Sequence, residues 1–241
     1  MKAVILAAGA SKRLHPATVD LPKCLLDING STLLDHQLRT LESLDIREIT
    51  LVVGFKQEAI KSVIKERWSS LNIRYSENPD FATTNTIYSL WLARDFLKDG
   101  FLYFNADVLC HKDVVKRLID SEHDTCLAID IKDCDEEEVK VILDDEKRVL
   151  HIGKDISKKD AVGEYIGVSK HGGASNALFL KKLNEYVHAG KKNLYFESAL
   201  KDVVKSNAAY TVDISDLPFI EIDFPEDLET ARNVVAKELF G

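Results

Sequence analysis

The stretch that most constrains this chain is its first twenty-three residues. Ala3 to Ala7 is an unbroken apolar run with Val4 and Ile5, the pattern of a strand covered on both faces. It runs into Ala8-Gly9-Ala10-Ser11, where no side chain is large. A backbone approaches a ligand closely only where side chains are absent, and a turn of small residues aims several N–H groups at one anion. Lys12 and Arg13 follow, and Leu21-Pro22 sets Lys23 ten residues beyond Arg13. Small-residue turn, Arg and Pro-positioned Lys together make a cradle for a polyphosphate. An ordinary strand–turn with solvated cations would not need the added Arg13 and Pro22-Lys23. The glycines of a dinucleotide fingerprint are missing, and no Gly-Lys-Ser/Thr follows, so neither common phosphate-loop motif applies.

The stretch resembles the signature of nucleotidyltransferases, Leu-x-Ala-Gly-x-Gly-x-Arg-Leu followed by Pro-Lys. Leu6, Ala8, Gly9, Arg13, Leu14, Pro22 and Lys23 match, and Ser11 replaces the second glycine with another small residue that carries a hydroxyl.

The rest of the chain reads as alternating strands and helices, hence a doubly wound, mostly parallel α/β sheet of Rossmann-like kind. Cys24 to Ile28 reads as a short strand and Asn29-Gly30 as a hairpin turn; Ser31 or Thr32 caps a leucine-faced helix through Leu44. Strands follow at Glu48–Val53 and Ile73–Ser76, around a helix from Gln57 to Trp68. Asn78-Pro79 turns the chain, Thr84 is the expected N-cap of a helix reaching Phe96, and the same Thr/Asn/Ser cluster could hold a base edge or an anion.

Phe101 to Phe104 is a buried strand ending at Asn105-Ala106-Asp107. Ligands of open parallel sheets sit at the strands' carboxyl ends, so Asp107 falls beside the first loop, either as a Mg²⁺ ligand or as the cap of a helix from His111 to Ser121. A strand over Thr125–Ile131 precedes the acidic run Asp130–Glu138, which reads as a solvated loop, and a hairpin over Val139–Ile152 outside the parallel core. Gly153-Lys154 could return a second cation to the site. Strands at Glu164–Lys170, Ala209–Val212 and Phe219–Asp223, helices at Ser175–His188 and Asn193–Val204, and a closing helix to Leu239 complete the chain. Asp223 is a second carboxylate at a strand end and the expected N-cap before Pro225. Residues 1–241 therefore form one domain, with a nucleotide-binding half at 1–130 and a more antiparallel, acceptor-binding half at 131–241 that makes a lid.

Within the superfamily, Thr84-Asn85-Thr86-Ile-Tyr-Ser89-Leu, Glu164–Lys170 and Tyr195-Phe-Glu197-Ser-Ala-Leu200 resemble the small bacterial cytidylyltransferases acting on phosphocholine or phosphonates. That resemblance implies transfer of CMP from CTP to a small phosphorylated or phosphonylated acceptor, with release of pyrophosphate. It implies Lys23 and Arg13 as catalytic residues. It implies nucleotide contacts at Leu6, Ala7, Ala8, Gly9, Ala10, Ser11, Lys23, Asn78, Thr84 and Asp107. Acceptor contacts fall at Asn85, Ser89, Lys154, Glu164, Tyr195 and Glu197, and Asp107 with Asp223 would hold Mg²⁺. A sugar-1-phosphate or inositol-phosphate nucleotidyltransferase and a non-catalytic nucleotide-binding regulator share the core and stay open.

A net charge of −8, with no basic stripe, argues against a nucleic-acid partner. Cys24, Cys110, Cys126 and Cys134 lack metal spacing and fit reduced thiols, and no apolar run could span a bilayer, so the cytoplasm is the expected compartment. A homodimer is compatible with the sequence.

Overall fold

Strand β1 (Lys2–Ala7) runs between β4 (Glu48–Val53) and β6 (Phe101–Asn105), parallel to both, and β5 (Asn72–Glu77) continues the parallel run beyond β4. The structure is a computed structural model that describes residues 1–206 and 209–240. On the other side of β6 lies β11 (Gly163–His171), antiparallel to it and buried along its whole length. The hairpin β9 (Lys140–Leu143) and β10 (Val149–Gly153) joins β11, and β8 (Cys126–Asp130) with β12 (Tyr210–Asp213) pairs to it at the other end. The hairpin expected outside the parallel core thus extends the same sheet, nine-stranded among the described residues.

Alternation along the central strands sorts the core into two layers. Ala3, Ile5, Leu102 and Phe104 face one side, where α1 (Leu33–Ser43), α2 (Gln57–Arg67) and α4 (Lys112–Asp120) cover them. Val4, Phe101 and Tyr103 face the other, under α3 (Thr86–Leu92), α5 (Gly173–His188) and α6 (Glu197–Val204). A third apolar cluster joins Leu14, Leu26, Ile28 and Leu109 to Ile222, Leu228 and Val235 of the C-terminal segment, α7 (Pro225–Thr230), a π-helical turn and α8 (Ala236–Phe240). The short hairpin β2 (Asp27–Ile28) and β3 (Ser31–Thr32) turns at Asn29 and Gly30, both at positive φ. Two further strands, β7 (Val108–Cys110) and β13 (Phe219–Glu221), pair antiparallel outside the main sheet.

Several local expectations are corrected. Cys24 to Ile28 is not a continuous strand: Leu25 N donates to Pro22 O and Leu26 N to Lys23 O, making a 3₁₀ turn over Lys23–Leu25. The helix after the Asn78 turn stops at Leu92 rather than Phe96, because the next N–H groups bond three residues back. Its N-cap is Asn85, whose Oδ1 accepts from Thr86 N, and Thr84 instead donates to Asp80 O. His111, not Asp107, caps α4, its Nδ1 accepting from Asp113 N.

Helix α1 carries the most connected buried carboxylate. Asp35 forms a reciprocal capping box with Thr32, accepts from Trp68 Nε1 at 2.7 Å and pairs with Arg67 at 2.9 Å. Burial pushes its pKa up, but the Trp68 and Thr32 bonds and the Arg67 charge outweigh that and hold it below the usual range. Replacing Asp35 by Ala strands the Trp68 N–H and should cost about 3 kcal/mol of stability at neutral pH. A lowered carboxyl pKa stabilises the fold above the unfolded value, so the wild-type advantage should shrink as the pH falls below about 4. Urea denaturation of both proteins across pH measures this; a difference independent of pH would contradict it.

Candidate active site

The site forms where the carboxyl ends of β1 and β6 meet the returning C-terminal segment. β1 ends in the Ala8–Ser11 turn. Ser11 adopts a left-handed conformation (φ 45°), and its carbonyl accepts from Thr18 Oγ1 at 2.8 Å. A Cβ placed on Gly9 would meet no atom within 4 Å, so open space lies over this backbone. Leu6, Ala7, Gly9, Ser11, Lys23 and Asp107 line that recess. The 3₁₀ turn after Pro22 rolls Lys23 inward, leaving its side chain 10% exposed.

Lys23 Nζ donates to Asp107 Oδ2 at 3.0 Å and to Asp223 Oδ1 at 2.7 Å. Arg13 reaches the other oxygen of Asp223 at 2.7 Å and lies over the Phe224 ring. Burial works against the Lys23 charge, yet the two carboxylates outweigh it and raise its pKa. Burial likewise pushes Asp223 up, and Lys23 and Arg13 bring it below the ordinary carboxylate range. The expectation that Asp223 caps the closing helix fails. Asp227 does that work, its Oδ2 accepting from the N–H groups of Asp223 and Phe224, and Asp223 is left to face Lys23.

A third carboxylate, Glu221, was missed in the sequence. Its ligand atom and those of Asp107 and Asp223 lie within 4.8 Å of one another. Burial, together with the charges of Asp107 and Asp223, pushes it up to about 8. The signal was there: Glu221 and Asp223 are two apart on an extended segment, so they share a face. Asp107 Oδ1 is buried and has no hydrogen-bond partner among the described residues. An all-oxygen trio with an unspent carboxylate oxygen fits a hard divalent cation.

Outward from the trio opens a cleft of about 570 Å³. Glu164, Tyr195, Glu197 and Lys154, four residues that the resemblance assigns to the acceptor, line it together with Asp135, Glu137 and Glu138. The acidic run is the exposed loop expected, and it borders the cleft. The buried Lys140 ammonium donates to the carbonyls of Asp135, Glu136 and Glu138 and holds it against the cleft. Glu164 is paired with Lys132 at 2.8 Å. Glu197 is 8% exposed, its Oε2 has no partner, and burial pushes it up to about 7. Lys154 pairs with Glu137 and sits over the Tyr195 ring.

Asn78, Thr84, Asn85 and Ser89 sit outside both recesses. Asn78 Nδ2 donates to Thr84 Oγ1 and Ser89 Oγ, and its Oδ1 accepts from Asp80 N. Of this segment only Thr86 reaches the cleft wall.

The family model described as Nucleotidyl transferase matches residues 2–166. The chain belongs to the nucleotidyl transferase family. This nucleotidyltransferase is 27% identical to the CTP:phosphoglutamine cytidylyltransferase of Campylobacter jejuni, over 95% of this chain and 98% of that protein. It is 27% identical to the choline-phosphate cytidylyltransferase of Streptococcus pneumoniae, over 99% of this chain and 100% of that one. The CMP-5'-(3-aminopropyl)phosphonate synthase of Streptomyces rubellomurinus is 28% identical over 96% of this chain and 38% of its own length. The solved CTP:phosphocholine cytidylyltransferase of Streptococcus pneumoniae superposes with a TM-score of 0.82 at 23% identity, over 97% of this chain and 98% of that chain, and so shares the fold.

If the trio takes a divalent cation, Lys23 competes with it for the same oxygens. Titration with Mn²⁺, followed by the electron paramagnetic resonance of the free ion, should show Asp107→Asn weakened and Lys23→Met tightened, each by about tenfold. Unchanged affinity in both variants would remove the trio as the cation site.

Proposed function

We propose that this nucleotidyltransferase transfers CMP from CTP to a small phosphorylated or phosphonylated acceptor with a cationic head group, releasing pyrophosphate. An acceptor oxygen attacks the α-phosphorus and the bond to the departing pyrophosphate breaks. The attacking oxygen is already anionic, so the protein's task is to hold two anions together and neutralise charge. In this reading the Ala8–Ser11 backbone and Arg13 hold the β- and γ-phosphates. Lys23 exchanges a carboxylate for the α-phosphate and the acceptor's anion. Asp107 and Asp223 would hold Mg²⁺ with Glu221 beside them, and the ion would supply further neutralisation of the triphosphate. Residues 1–130 supply the nucleotide side and 131–241 most of the acceptor side.

The observation that carries the acceptor class is the charge of the outer cleft. Glu197 is buried with an unpartnered oxygen, and Tyr195, Asp135 and Glu138 stand on the same wall. A carboxylate and an aromatic face attract an ammonium head group and offer the neutral hydroxyls of a polyol no comparable charge interaction. The names of two relatives, a choline-phosphate cytidylyltransferase and a CMP-5'-(3-aminopropyl)phosphonate synthase, point the same way.

A pyrophosphate-release assay with four nucleoside triphosphates and a panel of acceptors tests this. Phosphocholine or 2-aminoethylphosphonate with CTP should exceed hexose-1-phosphates and inositol phosphate by about tenfold or more in kcat/KM, about 1.4 kcal/mol. Equal turnover of the sugar phosphates would overturn the assignment and favour a sugar-type enzyme. CTP binding without any pyrophosphate release would favour a regulator. Lys23→Ala should lower kcat by about 10²–10³; a change in KM alone would mean uniform binding.

Glu197 adds a pH signature. Its pKa is pushed up to about 7, so the carboxylate forms as the pH rises through that value. KM for a cationic acceptor should fall across that window in the wild type and stay flat in Glu197→Gln. A pH profile in the variant identical to the wild type's would remove Glu197 from acceptor binding.

A further inference from the structure

Asp107 stands in the two-residue turn between β6, which ends at Asn105, and β7, which begins at Val108. Beneath that turn lies Gln37 of α1, buried at 4% exposure. Its Nε2 donates to Asn105 O at 2.8 Å and to Val108 O at 2.8 Å. One side-chain amide therefore bridges the two carbonyls that flank the metal-site aspartate. Gln37 Oε1 is buried without a partner among the described residues, where the bonds made by this side chain all go to the Asp107 turn. The third carbonyl of the turn, Asp107 O, accepts from Ile222 N at 3.0 Å. Ile222 lies between Glu221 and Asp223, so the same turn is also tied to the other two carboxylates.

A glutamine is an expensive choice at this place. The neighbouring core positions of α1, Leu34, Leu38 and Leu41, are fully buried and apolar. A polar amide is tolerated there only because its donors find acceptors. The Asn105 side chain turns to the other layer, its Oδ1 accepting from Tyr103 OH at 2.6 Å. Helix α1 is in turn fixed by the Asp35 anchor two residues earlier.

We infer that Gln37 is a positioning residue for the divalent-cation site: by clamping the carbonyls on both sides of Asp107 it fixes where that carboxylate points. This rests on Asp107 being a cation ligand. Partners that orient a ligand typically cost 10–100-fold in metal affinity when removed, that is about tenfold or more here. Such a partner touches no reacting atom.

The test is the Mn²⁺ dissociation constant of the full chain, read from the paramagnetic resonance of the free ion, for the wild type and Gln37→Met. Methionine keeps the volume and the helix preference and removes both donors. The dissociation constant should rise by about tenfold, and the Mn²⁺ concentration for half-maximal turnover should rise with it. A folded Gln37→Met with the wild-type constant would overturn the inference while leaving the assigned reaction intact. Should that variant fail to fold, Gln37→Leu, which is smaller, uncharged and likewise without donors, gives the same comparison with the same expected rise. A wild-type protein that binds no Mn²⁺ would overturn the metal assignment and this role with it.

Discussion

One ammonium group, Lys23 Nζ, holds together carboxylates that lie 84 and 200 residues away in the chain. All three groups are largely withdrawn from water, where an unpaired charge is costly and an attraction is strong. Removing any one of them leaves the others uncompensated, so the surrounding backbone is organised to keep them in register. A ligand that brings its own negative charge can replace one carboxylate at Lys23 without stranding it. A cation can replace Lys23 at the carboxylates. With CTP and a divalent cation at this site, as we propose, the resting network would resemble the occupied one in charge, which lowers reorganisation.

The fold delivers those groups by ordinary means. Alternating residues of β1 and β6 bury both faces, which forces the strands' carboxyl ends to open at one edge of the sheet. The third apolar cluster then pins the C-terminal segment beside the Ala8–Ser11 turn through Leu14, Ile222 and Leu228. Pairing of β13 with β7 sets Glu221 opposite Val108, one residue from Asp107. Asp227 takes the capping duty that Asp223 would otherwise perform, and the site carboxylate stays available. Hydrophobic packing fixes the positions, and a helix cap decides which carboxylate is spent on structure.

Much of this was legible in the residues. Ala3–Ala7 with the small-residue turn and Pro22-Lys23 names the strand, the loop and the cation, because each depends on local chemistry. Asp107 and Asp223 were legible as polar residues that end apolar runs. The failures share a cause: a polar side chain's partner is set by tertiary placement. The capping role expected of Thr84 went to Asn85, while Asn78, Thr84 and Ser89 hydrogen-bond to one another. Glu221 needed the period-two reading carried one step further. Gln37 sits inside a leucine-rich helical pattern, and nothing local says that Asn105 and Val108 lie above it. The continuation of the sheet through β11 into the hairpin was hidden for the same reason, since register between distant strands is not a local property.

The central claim is that Lys23, Asp107, Glu221 and Asp223 form one site that exchanges its internal ion pairs for a nucleotide and a divalent cation. The most direct measurement is an anomalous difference map from crystals grown with CTP and Mn²⁺. The account predicts a manganese peak bonded to Asp107 and Asp223, with Lys23 turned from at least one of them to the α-phosphate. A manganese peak elsewhere, with Lys23 still bridging both aspartates while CTP is bound, would contradict it.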